Sequence, residues 1–504
     1  MTLLIKNVQV VGGAKQFSAP CDVFVNNGKI SAIGNFPNKK ADVTLDGQGA
    51  YLSPGFIDVN TDSDHYLTLF DHPAQEDFLR QGVTTIFGGM CGSSLAPIAY
   101  GTLESIQKWG DPNRVNVNWH SVAELLRVLD KRPLAVNFGT LAGHSTIRRA
   151  IIGEALRDLT KNELNVFART LETALKEGAF GFSTGLAYVH AYKTSSLELS
   201  FFADVAKRFN AVYATHLRDG GVGIQASIEE TIKLAQEIGV RTLVSHFVPV
   251  LGTEKPYEAA LAMINNLPDN TNLHFDIYPS TSSLMPIYTF LPQWAQNGGV
   301  AVMLASVKDE WLLARIKKDM PPIKEDVFVI AQAPGNDFLV GKTLAQIREG
   351  YGMQDARDAL LKLMATLNMK GAVLYKNLNA SLALKAIASP RSFVASNAPS
   401  FDEAGRYKQI KSERITSTFT RFLSLVEEEK LMPLDEAIKK ITIAPARMFG
   451  LQDRGEIKEG NFADLACFKG GEIRFTIVNG VVAYSEGVFQ KKFPGKALRH
   501  EAKK

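Results

Sequence analysis

The chain has 504 residues, 45% of them apolar and 21% charged, with a formal net charge of +4. That balance is ordinary for a globular protein, and the absence of a Lys/Arg stripe interleaved with aromatics argues against a nucleic-acid partner. No apolar run reaches the ~18 residues a membrane span needs, and Cys21, Cys91 and Cys467 are too few and too far apart for a disulfide framework. The expectation is a cytoplasmic protein with neither membrane nor nucleic-acid partners.

In chain order, residues 1–53 read as short strands separated by turn signals, the clearest being Asn27-Gly28 between two apolar runs. The opening Met1-Thr2-Leu3-Leu4-Ile5-Lys6 is too short for a signal sequence and reads as the first strand. The same texture returns at 463–468 and 475–484, so 1–53 and 453–490 are expected to build one small β-sandwich from both termini. Residues 491–504, rich in lysine, read as a solvated basic tail.

Between these ends the pattern changes. Candidate strands at 56–59, 84–87, 134–138, 179–182, 212–214, 242–245, 273–277 and 392–395 alternate with helical patterns such as 227–239, which stops at Gly239. Such alternation predicts an α/β fold, a (β/α)8 TIM-type barrel over 54–452. The interval 284–390 is too long for a connection and is expected to be an inserted subdomain over the strand ends, although 372–375 could supply a ninth strand.

Catalytic groups of barrels lie just past the C-terminal ends of strands. Past the first run, Asp58, Asn60, Asp62 and Asp64 fall at alternate positions, which in a strand share one face. Past later runs come Cys91, His216 and His246. A thiolate and two imidazoles are ligands suited to Zn²⁺, with a fourth position open for water or substrate. His144, in Gly143-His144-Ser145-Thr146 after the third run, is a further rim candidate.

Several blocks then resemble the amidohydrolase superfamily, and within it the D-aminoacylase (N-acyl-D-amino-acid deacylase) group. They include Ser53-Pro54-Gly55-Phe56-Ile57-Asp58, Cys91-Gly92-Ser93-Ser94-Leu95-Ala96-Pro97, Gly143-His144-Ser145-Thr146, Gly181-Phe182-Ser183-Thr184-Gly185 and Ala214-Thr215-His216-Leu217-Arg218-Asp219. The resemblance implies that Cys91, His216 and His246 hold a tightly bound zinc, and that the reaction is hydrolysis of the amide of an N-acyl amino acid by metal-activated water.

Departures from the family pattern are as informative. Asn60-Thr61-Asp62 stands where the family has His-x-His, which removes the imidazoles of a second metal site. Asn397, in Ser396-Asn397-Ala398, stands where the family has its aspartate base, and an amide accepts no proton at neutral pH. Asp62 is therefore the first candidate for the base and Asp402 the second, with Tyr188, Tyr192, Ser283 and Arg414 as candidate substrate-binding residues beside His144. The resemblance implies that Arg414, in Ser412-Glu413-Arg414 after a longer loop than the family has, stands in for the arginine of the family's His-Pro-Arg block, a partner of the substrate carboxylate. Two other readings stand beside this one: a catalytically degenerate homologue that binds zinc or a small ligand, and a cyclic amide hydrolase.

Overall fold

The computed structural model describes residues 1–14, 19–98, 103–107, 109–402 and 408–501. Its centre is a set of parallel strands in chain order, each buried on both faces as in parallel sheets covered by helices. Phe56–Asp58 pairs with Val83–Gly88, which pairs with Asn137–Thr140. One residue further on, Ala142–Gly143 opens a second sheet through Gly181–Gly185, Val212–His216, Arg241–Val244, Leu273–Ile277 and Ser392–Val394. A parallel bridge from Thr61 to Ala398 links the last strand end back to the first. Ile57, Phe87, Leu141, Val212, Leu243 and Phe393, drawn from both sheets, meet in one buried cluster, so the space between the strands is filled by side chains.

The helices between the strands begin and end where local chemistry dictates. Lys161–Lys176 starts at a capping box made by Thr160 and Glu163. Ile224–Ile238 stops at Gly239, whose φ of 72° suits a residue without Cβ.

Both termini contribute to a nine-stranded mixed sheet, joined where Tyr51–Pro54 runs antiparallel to Leu465–Lys469. Two of its hairpins turn at Asn27-Gly28 and Asn479-Gly480, all four residues at positive φ, the pattern of tight two-residue turns. These turns also pack together: a Cβ on Gly480 would lie 2.6 Å from the Gly28 Cα.

Two boundaries differ from expectation. The inserted subdomain runs from Ser282–Pro286 to Ala372–Lys376, which pair antiparallel with each other, and Phe328–Gln332 adds the third strand. It has its own apolar core, including Tyr288, Phe290, Phe328 and Val373. The run at 372–375 therefore belongs to the insertion and adds no ninth parallel strand, whereas Ala380–Ile387 packs beside Leu273–Ile277 and Ser392–Val394. The second difference is the basic end. Residues 495–500 are docked, with Leu498 N–H donating to Phe138, His500 N–H donating to Gly178, and Ala497 and His500 buried. Lysines at 491 and 492 point to a free tail, but Ala497 beyond them forms a parallel bridge with Phe138 of the edge strand Asn137–Thr140. Lys503 and Lys504 lie outside the described residues.

Candidate metal centre and cavity

Cys91, His216 and His246 come from different strand ends, and their ligand atoms all lie within 4.8 Å of one another. The Cys91 Sγ is 3.5 Å from the His246 Nε2, and the two imidazoles meet edge to face with centroids 4.2 Å apart. Burial, chiefly, pushes His246 down to about 4, so its ring is neutral at physiological pH and offers a lone pair. The backbone is bent to bring these groups together: Cys91 and His246 have φ of 53° and 38°, and Asn397 beside them 45°. Left-handed conformations at non-glycine residues cost energy and gather at functional sites.

The first strand end supplies a second layer. Asn60 Nδ2 donates to Asp276 Oδ2 (3.1 Å), and Asp276 Oδ1 accepts the His246 backbone N–H (2.8 Å), so Asn60 braces the turn that carries His246. Desolvation pushes the buried carboxyls of Asp58 and Asp276 up to about 7. Asp64 Oδ2 accepts the Gly89 N–H at 2.6 Å and so fixes the turn leading to Cys91; a Cβ on Gly88 would lie 2.6 Å from that carboxyl.

Asp62 behaves differently. Burial alone would raise it, but the hydrogen bond from His65 and the charges of His65 and Arg414 outweigh burial and hold it below the usual carboxylate range. His65 Nδ1 lies 3.0 Å from Asp62 Oδ1, and its Nε2 lies 3.0 Å from the Ser93 carbonyl. A carbonyl only accepts, so both ring nitrogens act as donors when His65 carries two protons. Burial opposes that charge, but Asp64 and Asp62 overcome it and raise His65 to about 9. The ring is stacked on Trp109 at 4.4 Å. Sequence reasoning left His65 out, although it stands three residues after Asp62; its partner Ser93 is 28 residues away and gives no local signal.

Arg414 is also brought to this region. Its Nε donates to the Ser396 carbonyl (3.0 Å), a second nitrogen donates to the Asn397 carbonyl, and the guanidinium lies 4.3 Å from the Tyr278 ring centroid. It is 3% exposed, and among the described residues no carboxylate is within ion-pair distance of it.

Beside the metal-ligand trio lies a cavity of about 890 Å³, walled by loops such as 109–114 and 188–190 and by residues from 286–303 of the inserted subdomain; the trio itself is not part of its lining. Tyr188 forms part of its wall, with its ring 5.1 Å from His216. Tyr66, Trp109 and Tyr288 also line it, none of them singled out in the sequence. Burial raises the phenols of Tyr66, Tyr188 and Tyr288, so all three keep their protons. The Tyr288 hydroxyl is buried without a hydrogen-bond partner among the described residues.

The other nominated residues lie elsewhere. His144 turns away from the cavity, its Nε2 2.8 Å from Glu198 Oε1 and its ring against Phe167 and Phe202. Tyr192 is 40% exposed, with Arg218 donating to its carbonyl, and Ser283 is an insertion-strand residue opposite Tyr375. Neither lines the cavity. Asp402 is half-exposed, 3.7 Å from His72 and outside the trio. Position past a strand end does not fix where a side chain turns: a buried glutamate 54 residues away captures His144.

Comparison with known proteins follows from this arrangement. A family profile described as "Amidohydrolase family" matches residues 411–482. The chain is 28% identical to an N-acyl-D-aspartate deacylase of Alcaligenes xylosoxydans xylosoxydans over 494 residues, 96% of this chain and 89% of the relative. A D-aminoacylase solved in a study of its binuclear metal centre, described as "One-metal activation and second-metal attenuation", superposes with a TM-score of 0.79 at 25% identity, covering 99% of both chains. Over nearly its whole length the chain is similar to D-aminoacylases and N-acyl-D-amino-acid deacylases, and its 411–482 segment matches the amidohydrolase family profile. An N-acyl-D-glutamate deacylase of that group from Bordetella bronchiseptica, solved with zinc and a phosphonate mimic of the tetrahedral intermediate, has a TM-score of 0.82 at 24% identity over 99% of both chains.

Proposed function

We propose that this chain is a mononuclear zinc amidohydrolase of the D-aminoacylase group that cleaves N-acyl amino acids, with its site at the C-terminal mouth of a closed (β/α)8 barrel flanked by a terminal β-sandwich. The observation that carries the reading is the Cys91–His216–His246 trio. With Zn–S of about 2.3 Å and Zn–N of about 2.0–2.1 Å, a tetrahedral ion separates sulfur and nitrogen ligands by roughly 3.5 Å. The Cys91 Sγ–His246 Nε2 separation is 3.5 Å, and all three ligand atoms lie within 4.8 Å of one another, so the donor set suits zinc.

Cys91, His216 and His246 would hold the zinc ion, which would supply polarisation of the scissile carbonyl and a water nucleophilic at neutral pH. The chain's own residues do the rest. Asp62, held ionised by His65, accepts a proton from the attacking water and returns it to the leaving amine. His65, anchored by Ser93 and Asp64 and stacked under Trp109, keeps one Asp62 oxygen occupied. Arg414, a buried cation with no carboxylate partner among the described residues, receives the substrate carboxylate. Asn60, tied to Asp276, serves the support of His246, which accords with one ion in the site.

Asn397 favours a second reading, a homologue that binds metal and ligand without turnover, because it places an amide where the family has a base. Assay of zinc-loaded protein against N-acyl-D- and N-acyl-L-amino acids separates the two. Release of free amino acid that depends on zinc and is lost in Asp62→Asn supports hydrolysis; zinc-dependent binding with no release for any compound supports the second reading.

A further inference from the structure

The cavity adjoins the metal-ligand trio at Tyr188, which lines it and whose ring is 5.1 Å from His216, and it is far larger than an acetyl group requires. At about 890 Å³ it lies near the upper end of the ~300–1,000 Å³ range of pockets that enclose drug-sized ligands. Its outer wall includes the helix Gly299–Ser306, whose sequence is Gly-Val-Ala-Val-Met-Leu-Ala-Ser. A surface helix ordinarily carries a polar face; this one has a single polar residue, at its last position. Only Met303 is fully buried, while Gly299, Val300, Ala301 and Met303 line the cavity. Trp109, Tyr188 and Tyr288 also line it, Tyr288 sharing the insertion's core with Met303.

The charged groups in the wall are largely engaged by one another. Arg114 pairs with Asp71, and Arg149 Nε lies 2.7 Å from Glu154 Oε1, so neither arginine is held ready for a second substrate carboxylate. Lys370 is exposed to solvent. The carboxylate-binding candidate, Arg414, is not part of this wall. With the substrate carboxylate at Arg414 and the scissile carbonyl at the trio, the group that enters the cavity is the one beyond the carbonyl, the acyl chain.

We propose that the cavity selects N-acyl amino acids whose acyl group is a medium or long hydrocarbon chain, seated between the apolar helix Gly299–Ser306 and the aromatic wall at Trp109, Tyr188 and Tyr288. This rests on the hydrolase reading above and names the substrate class of that site. Each fully buried methylene is worth roughly fourfold in binding or kcat/KM. Burial of even half of the methylenes that distinguish decanoyl from acetyl yields a preference on the order of 10²-fold.

The test uses the zinc-loaded full-length protein and the N-acetyl, N-hexanoyl and N-decanoyl derivatives of D- and L-alanine, below their micellar concentrations, with N-acetyl-phenylalanine as the reversed arrangement. A rise in kcat/KM of at least about tenfold from acetyl to decanoyl, larger than the gain from alanine to phenylalanine, is expected. A smaller rise, or a larger gain from phenylalanine, overturns the proposal while leaving the hydrolase reading intact. Absence of turnover for every compound defeats the hydrolase reading instead, and calorimetric titration with the same series then decides: at least tenfold tighter binding of the decanoyl compound supports the proposal, and equal or absent binding overturns it. Ala301→Asp, on the cavity side of an exposed helix position, should lower the decanoyl-to-acetyl ratio at least tenfold; an unchanged ratio counts against the assignment of this wall.

Discussion

Replacement of His65 by glutamine tests how Asp62 is kept competent as a base. In the structure the His65 Nδ1 donates to Asp62 Oδ1 at 3.0 Å, and the ring carries a positive charge favoured by Asp64 and Asp62. Glutamine retains an N–H donor and removes the charge. A hydrogen bond to a charged group is worth about 1.5–3 kcal/mol, and one pKa unit corresponds to about 1.4 kcal/mol. Loss of the charged donor should therefore raise Asp62 by about 1–2 units. Because the basic form of Asp62 is the active one, the acid limb of the kcat/KM–pH profile should move to higher pH by that amount, with little change at the plateau. An acid limb that stays in place refutes the role given to the Asp62–His65 pair. The same variant has a stability signature. His65 is raised in the folded state above its ordinary value of about 6.5, to about 9, so its stabilising contribution is complete below pH ~6.5 and is lost as pH rises towards 9. The Tm difference between wild type and His65→Gln should shrink across that window.

Other outcomes follow from the same geometry. Asp62→Asn should lower kcat by about 10²–10⁴-fold with zinc content unchanged, measured by steady-state kinetics alongside metal analysis. Asn397→Asp separates the two functional readings: where Asp62 already serves as base, kcat should change by less than about tenfold, and where the chemistry has been lost, a new carboxylate should raise it by at least about 10²-fold. Glu198→Ala strips the buried His144 and Arg148 of their shared carboxylate and should cost about 3–5 kcal/mol, read by denaturant titration.

Much of the molecule was legible in sequence because it is local. Strands buried on both faces are continuous apolar runs, and the groups just past them can be counted off, which is how Cys91, His216, His246 and Asp62 were found. What sequence could not supply is set by distance along the chain. His65 acquires its meaning from Ser93, and His144 loses its candidacy to Glu198. Tyr288 and the apolar helix Gly299–Ser306 belong to an insertion whose folding back over the strand ends leaves no local periodicity. The end of the chain illustrates the opposite error: Lys491 and Lys492 drew attention to charge, while Ala497 and His500 dock against the strand and turn at Phe138 and Gly178.

The central claim is that Cys91, His216 and His246 hold one zinc ion. Metal analysis of protein purified without added zinc, beside a Cys91→Ala variant of equal secondary structure content, tests it most directly. The account predicts about one zinc per wild-type chain and a near-complete loss in the variant. Wild type without zinc after reconstitution, or occupancy indifferent to Cys91, would contradict it.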